Sequence, residues 1–156
     1  ALAKAKMRPI QLASGAKKDV RTQFGALCYR VVGDKIQVLL ITSRGTGRWI
    51  IPKGWPVDGA TPAEAALNEA WEEAGVEGKA RGNALGIYSY VKQEDKEDLP
   101  CVVAVFGVKV TGTKRKFPEA DQRERKWVSR KKAAALLGEP ELSQIVKNFD
   151  PRKLAS

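Results

Sequence analysis

Three glutamates, Glu69, Glu72 and Glu73, sit in a run (TPAEAALNEAWEEAGV, Thr61 to Val76) that has both ends of a helix written into it. Thr61 suits the N-cap, Pro62 the first helical position, and Glu64 completes a Thr-x-x-Glu capping box. Gly75 is the residue type that stops a helix in a left-handed conformation. At about 3.6 residues per turn the three carboxylates share an arc of roughly 100°. Leu67, Ala70, Trp71 and Ala74 form the opposite stripe, expected to face the core. Like charges at this spacing destabilise a helix by a few tenths of a kcal/mol, roughly. No lysine or arginine lies within the helix to offset them, although the chain carries a net charge of +10. A divalent cation would resolve the repulsion. Clustered hard oxygens suit Mg²⁺ or Mn²⁺, which keep waters and bind substrate phosphates directly. An ordinary solvated acidic face is the alternative that the helix alone leaves open.

Composition narrows the chemistry. The 156 residues contain no histidine, which removes histidine-based triads, histidine-ligated zinc and imidazole acid–base catalysis together. Any catalysis falls to carboxylates, lysines, tyrosines or a metal held by oxygen. The basic excess attracts polyanions, whether nucleic acid, an anionic membrane surface or a polyphosphorylated small molecule, and also serves simple solubility. Cys28 and Cys101 lie in apolar strand-like runs and are expected to be reduced core thiols, which suits a cytoplasmic protein. No apolar run approaches the length of a membrane span, and the N-terminus lacks the apolar segment of a secretory signal.

The elements that must position the glutamates follow from pattern. Thr22 to Val32 and Lys35 to Thr42 read as strands joined by a hairpin at Gly33-Asp34. The loop SRGTGRWIIPKGW (Ser43 to Trp55) leads towards the helix. Two more strands, Asn83 to Lys92 and Pro100 to Val110, flank an acidic loop. A basic link, TGTKRKFPEADQ, precedes a short strand at Arg125 to Val128. Ser129 caps a helix through Leu137, and Pro140 opens a last one to about Phe149. With no regular βαβ alternation, the expected fold is α+β: a mixed β-sheet flanked by helices. Residues 1–20 read as a basic N-terminal tail, 21–150 as one domain and 151–156 as a C-terminal tail.

The stretch Gly54 to Val76 resembles the signature of the Nudix hydrolase superfamily. Gly54, Glu69, Ala70, Glu72, Glu73, Gly75 and Val76 stand at the required spacing, seven of nine positions over 23 residues. Ala60 replaces the usual first Glu and Asn68 the usual Arg. The resemblance implies an α/β/α sandwich and metal-assisted hydrolysis of a phosphoanhydride. Glu69 and Glu73 would be metal ligands, with the backbone carbonyl near Gly54. Glu72 would be the general base, or a shared ligand that orients the attacking water. The cofactor would be Mg²⁺ or Mn²⁺. In the family the Arg orients neighbouring glutamates. Asn68 can donate hydrogen bonds but brings no charge, and Glu64 is read as a cap rather than a substitute for Ala60.

The loop before the helix resembles that of diphosphoinositol polyphosphate and diadenosine polyphosphate phosphohydrolases. On that likeness Arg21, Ser43, Arg44, Lys53, Gly54 and Arg125 would contact a substrate rich in phosphates, since the arginine fork grips phosphate oxygens bidentately. Each arginine also has a plain reading as surface charge. The expected partner is a small polyphosphate rather than a membrane or a nucleic acid, an RNA 5′ end excepted. Two rival readings stand beside it: a pyrophosphohydrolase of nucleoside triphosphates or RNA 5′ ends, and a degenerate domain that binds polyanions without turnover.

Overall fold

The computed structural model describes residues 20–93 and 97–154. Apart from Val20, the segment read as a basic N-terminal tail lies outside the described residues. The elements in order are β1 (Arg21–Val32), β2 (Lys35–Thr42), β3 (Trp49–Ile50), β4 (Lys53–Gly54), α1 (Pro62–Ala74), β5 (Val76–Lys92), β6 (Leu99–Thr113), β7 (Arg125–Ser129), α2 (Arg130–Leu136) and α3 (Pro140–Lys147). A seven-stranded sheet runs β3-β2-β1-β6-β5, with β4 added to β1 and β7 to β2. The β1–β6 pair is parallel and every other pair antiparallel, so the sheet is mixed and the fold α+β, as expected.

The central strands are apolar on both faces because both faces are covered. Along β1, Ala26 and Cys28 face a core shared with α1, and Leu27 and Tyr29 face a second core beneath α2 and α3. The same alternation recurs in β2 and β6: Leu39, Ile41 and Phe106 join the first core; Val38, Leu40 and Val105 the second. Helices thus sandwich the sheet. Cys28 and Cys101 are free buried thiols. Cys101 sits opposite Arg21 and Val108 opposite Cys28, seven strand positions further on, at about 3.3 Å per residue. No disulfide can join them.

Pattern reading misses the short strands β3 and β4, which lie in the stretch read as a loop, and the first part of β5. β5 begins at Val76, directly after Gly75; its run VEGKARG alternates small or apolar with charged residues, but its glycines weaken the strand signal. Its pairing with β6 breaks register at Glu77/Gly78 and Arg81/Gly86. The segment read as a C-terminal tail is ordered through Leu154: Pro151–Lys153 form a 3-10 turn, and Leu154 packs on the second core.

Candidate active site

Helix α1 carries its own boundaries. The Thr61 N–H donates to Glu64 Oε1 (2.8 Å) and the Glu64 N–H to Thr61 Oγ1 (3.1 Å). Glu64 is therefore committed to the capping box. Gly75 ends the helix at φ 67°, where a Cβ would lie 2.4 Å from the Phe117 ring. Only glycine satisfies both conditions.

The predicted core stripe holds at Ala70 and Ala74 and differs at Leu67 and Trp71. Ala65, Ala66, Ala70, Ala74 and Glu73 are the buried residues of α1, whereas Leu67 and Trp71 are half-buried at its flank. Alanines let the helix axis approach β1 and β4 closely, and that approach turns Glu73 inwards instead of into solvent. Glu73 is 7% exposed. Its Oε1 accepts from the Lys53 N–H (3.3 Å) and lies 3.6 Å from Arg123 Nη2. Glu69 presses on the backbone of β4. A Cβ built on Gly54 would stand 2.3 Å from the Glu69 carboxyl carbon and 2.6 Å from both its oxygens. The Glu69 and Glu73 carboxyls are near enough for each to alter the other's hold on a proton. Glu72, half-buried, accepts from Asn68 Nδ2 at 2.6 Å.

A pair of carboxyls this close, one of them buried, cannot both hold full charge without a cation. Burial pushes Glu73 up to about 8, against the opposing pull of Arg123. Burial also raises Glu69, opposed first by the neighbouring Glu73. Among the described residues no three acidic or cysteine side chains close into a metal cage, so Glu72 is not grouped with Glu69 and Glu73 as a third ligand. Mg²⁺ and Mn²⁺ take one or two carboxylates and keep positions for water and phosphate. The cradle over Gly54, which a Cβ would fill, fits a site shared by Glu69, Glu73 and a backbone carbonyl.

A measurable consequence follows from the Glu73 proton. A metal ion must displace it, so affinity for Mn²⁺ is expected to rise about tenfold per pH unit up to about pH 8 and then level off. Calorimetric titrations between pH 6.5 and 9, in buffers of different ionisation heat, would read both the affinity and the released proton. The linked stability has the opposite sense. Neutral Glu73 favours the metal-free fold, in full below the ordinary carboxyl value, and that contribution disappears as pH rises through about 8.

The remaining site residues separate into two groups. Lys53 meets Glu73 through its backbone N–H, while its half-buried side chain sets the ammonium over the Tyr90 ring (4.9 Å); desolvation lowers its pKa, opposed first by Glu73 and then by Glu139. Tyr90 in turn donates to Gln23 Oε1 at 2.6 Å. Arg44 reaches the rim, where Nη1 donates to Gln122 Oε1 (3.0 Å) and Nε lies 3.9 Å from Glu119 Oε1. Arg21 opens β1, three residues before Phe24, the partner of Gly54. Ser43 closes its own loop instead: its hydroxyl meets Thr46 Oγ1 and accepts from the Arg48 N–H (2.9 Å).

Arg125 also departs from the phosphate-contact reading. Its Nη1 donates to the Ala74 carbonyl (2.8 Å) and its guanidinium stacks on Phe117 (4.9 Å), so it caps the C-terminus of α1, where a cation is favourable. Arg125→Ala is expected to lower stability by about 1.5–3 kcal/mol, the range for a hydrogen bond to a charged group. KM for a polyphosphate substrate should stay within about twofold. Thermal unfolding and steady-state kinetics on the same preparation check both.

Sequence reading misses Arg123 and Glu119. Glu119 lies in the segment read as a basic link, and Arg123 directly after it, before β7. Arg123 Nε donates to Glu119 Oε1 at 2.8 Å and Nη1 to the Thr42 carbonyl at 2.9 Å. The Glu119 N–H donates to the Glu72 carbonyl (3.0 Å), and the Lys114 N–H to that of Gly75 (2.9 Å). This segment therefore clamps the open end of α1. Nothing in its composition signals that, because partners 40 to 80 positions away define it. A cavity of about 720 Å³ between α2 and α3, lined by Arg130, Lys131 and Lys147 among others, contains none of these carboxylates.

The NUDIX domain model matches residues 21–149 of the chain. The chain belongs to the Nudix family. It is 33% identical over 136 residues to Nudix hydrolase 13, mitochondrial, of Arabidopsis thaliana, covering 76% of this chain and 67% of that protein. It is 30% identical over 124 residues to diphosphoinositol polyphosphate phosphohydrolase 3-alpha of Mus musculus, covering 78% and 72%. Against Nudix hydrolase 12, mitochondrial, of A. thaliana, identity is 35% over 107 residues, 66% of this chain and 53% of that protein. This Nudix chain thus spans between half and two thirds of the length of these two plant relatives. Among solved structures the Ap4A hydrolase of C. elegans superposes with a TM-score of 0.60 at 17% identity, covering 82% of this chain and 94% of that one. The MutT protein of Methanosarcina mazei Go1 gives 0.64 at 22%, covering 88% and 98%. At those identities the structural likeness speaks for the Nudix fold alone.

Proposed function

We propose that this Nudix hydrolase cleaves a phosphoanhydride bond in a small, highly phosphorylated substrate, a diphosphoinositol polyphosphate or a dinucleoside polyphosphate, with Mg²⁺ or Mn²⁺. The observation that carries the reading is the seating of Glu69 over a side-chain-free Gly54 next to the buried Glu73, whose carboxyl accepts from the Lys53 backbone N–H. A divalent ion bound by that pair supplies phosphate charge neutralisation and activates water. The chain's own groups do the rest. Glu72, fixed by Asn68, takes the proton of the attacking water. Lys53, half-buried on β4, offers an ammonium to a phosphate oxygen. Arg44 and Arg21 flank the approach and draw in polyanions. The relative named for diphosphoinositol polyphosphates supports the substrate class.

The test is a panel of diphosphoinositol polyphosphates, dinucleoside polyphosphates, nucleoside triphosphates and triphosphorylated RNA, each with Mg²⁺ and with Mn²⁺, products identified. Two nucleotides from a dinucleoside polyphosphate, or phosphate from an inositol pyrophosphate, is the expected result. Pyrophosphate release from nucleoside triphosphates would replace the substrate class. Absence of metal-dependent cleavage throughout would leave only polyanion binding.

A further inference from the structure

Helix α1 holds four glutamates and no basic residue; Glu64 is spent on the capping box, and position 68, where the family motif has arginine, is Asn68. Asn68 Nδ2 donates to Glu72 at 2.6 Å and also bears on the adjacent Glu69. Glu73, five positions further along and buried, lies past the span of the short asparagine amide, which a longer guanidinium would exceed. The cation beside Glu73 comes from another part of the chain. Arg123, whose side chain is 6% exposed, spends each edge of its guanidinium on a different partner: Nη1 on the Thr42 carbonyl (2.9 Å), Nε on Glu119 (2.8 Å) and Nη2 towards Glu73 (3.6 Å). Its backbone is fixed as well. The Glu124 N–H donates to Thr42 Oγ1 (2.9 Å), and the Thr42 N–H to the Glu124 carbonyl (3.1 Å).

We propose that Arg123 is the positioning residue for Glu73, and that Arg123 and Asn68 together divide the task that the family motif gives to one arginine at position 68. Asn68 orients Glu72 by a neutral hydrogen bond. Arg123 supplies charge and direction to Glu73, and ties Glu119 beside it. A lysine cannot replace it, because a single ammonium lacks the planar fork that meets three partners at once. The proposal rests on the reading of Glu73 as a metal ligand.

The test uses the full chain as Arg123→Lys, with Mn²⁺ alone as probe. Free Mn²⁺ is counted by its electron paramagnetic resonance signal, and thermal unfolding is followed on the same samples. Arg123→Lys keeps the buried charge. It is expected to bind Mn²⁺ about tenfold to a hundredfold more weakly, the usual cost of losing a group that orients a ligand, and kcat should fall in step. In the Asn68→Arg background the same change is expected to cost at least about threefold less, since a guanidinium on α1 restores part of the lost role. A well-folded Arg123→Lys with wild-type Mn²⁺ affinity would overturn the proposal. So would an equal loss in both backgrounds, because the task would then not be shared with position 68. If Arg123→Lys alone fails to fold, comparing Asn68→Arg/Arg123→Lys with Asn68→Arg decides: a hundredfold or greater deficit in the double variant counts against it, and near-equality supports it. Wild-type Mn²⁺ binding by Glu73→Gln would instead sink the underlying site reading, whatever Arg123 does.

Discussion

Replacing Glu73 by Gln is expected to remove about three orders of magnitude of metal-dependent turnover while leaving the fold in place. The amide keeps the shape of the side chain and can still occupy the buried position beside Lys53 and Arg123. It cannot bear the negative charge that a hard cation requires. A metal site supplies several kcal/mol of charge stabilisation, and about 4 kcal/mol corresponds to about a thousandfold in rate. Folding should be unharmed or slightly improved above pH 8, because the carboxyl, pushed up to about 8 by burial, is the costly form there. Steady-state rates at saturating Mg²⁺, with thermal unfolding in metal-free buffer, measure both sides. Near-full rate in this variant would remove Glu73 from the metal site.

The second large effect is expected from Gly54→Ala. Its φ is not in the left-handed region, so the backbone tolerates alanine. The cost is one of space: the new Cβ would sit 2.3 Å from the Glu69 carboxyl carbon and 2.6 Å from both oxygens. Glu69 must swing away, which takes it from its place next to Glu73. Overpacking of this kind costs about 1–3 kcal/mol of stability. The larger loss should fall on turnover, about a hundredfold or more, since a misplacement of about 1 Å near the reacting atoms already has that effect. The distinguishing measurement is Mn²⁺ affinity beside unfolding temperature. A variant that is less stable yet binds Mn²⁺ normally would show that Glu69 need not rest on β4.

These effects share a cause in how α1 meets the sheet. Four alanines on its inner face allow close approach, and close approach brings Glu69 onto Gly54 and Glu73 under cover. Helical periodicity located the glutamates on one arc and put Ala70 and Ala74 in the core, where they are, but it also put Leu67 and Trp71 there, which are only half-buried. Counting hydrophobic side chains favours large ones, whereas the contact depends on small ones. Arg125 illustrates the same limit: a basic residue near the signature reads as a phosphate contact, and it is instead spent on the helix terminus.

The sequence by itself determined the limits of α1, the β1–β2 hairpin, the two-faced apolar strands and the glutamate set, because each depends on residues within one or two turns or on strict alternation. The family membership was legible for the same reason, since the signature is a short run at fixed spacing. Only the tertiary structure decided which carboxyl is buried, that Gly54 is the seat of Glu69, and that the charge opposite Glu73 is Arg123, 50 positions away. Those facts arise from close contact between segments distant in the chain. Burial and charge pairing set the chemistry there, and neither leaves a local pattern to read.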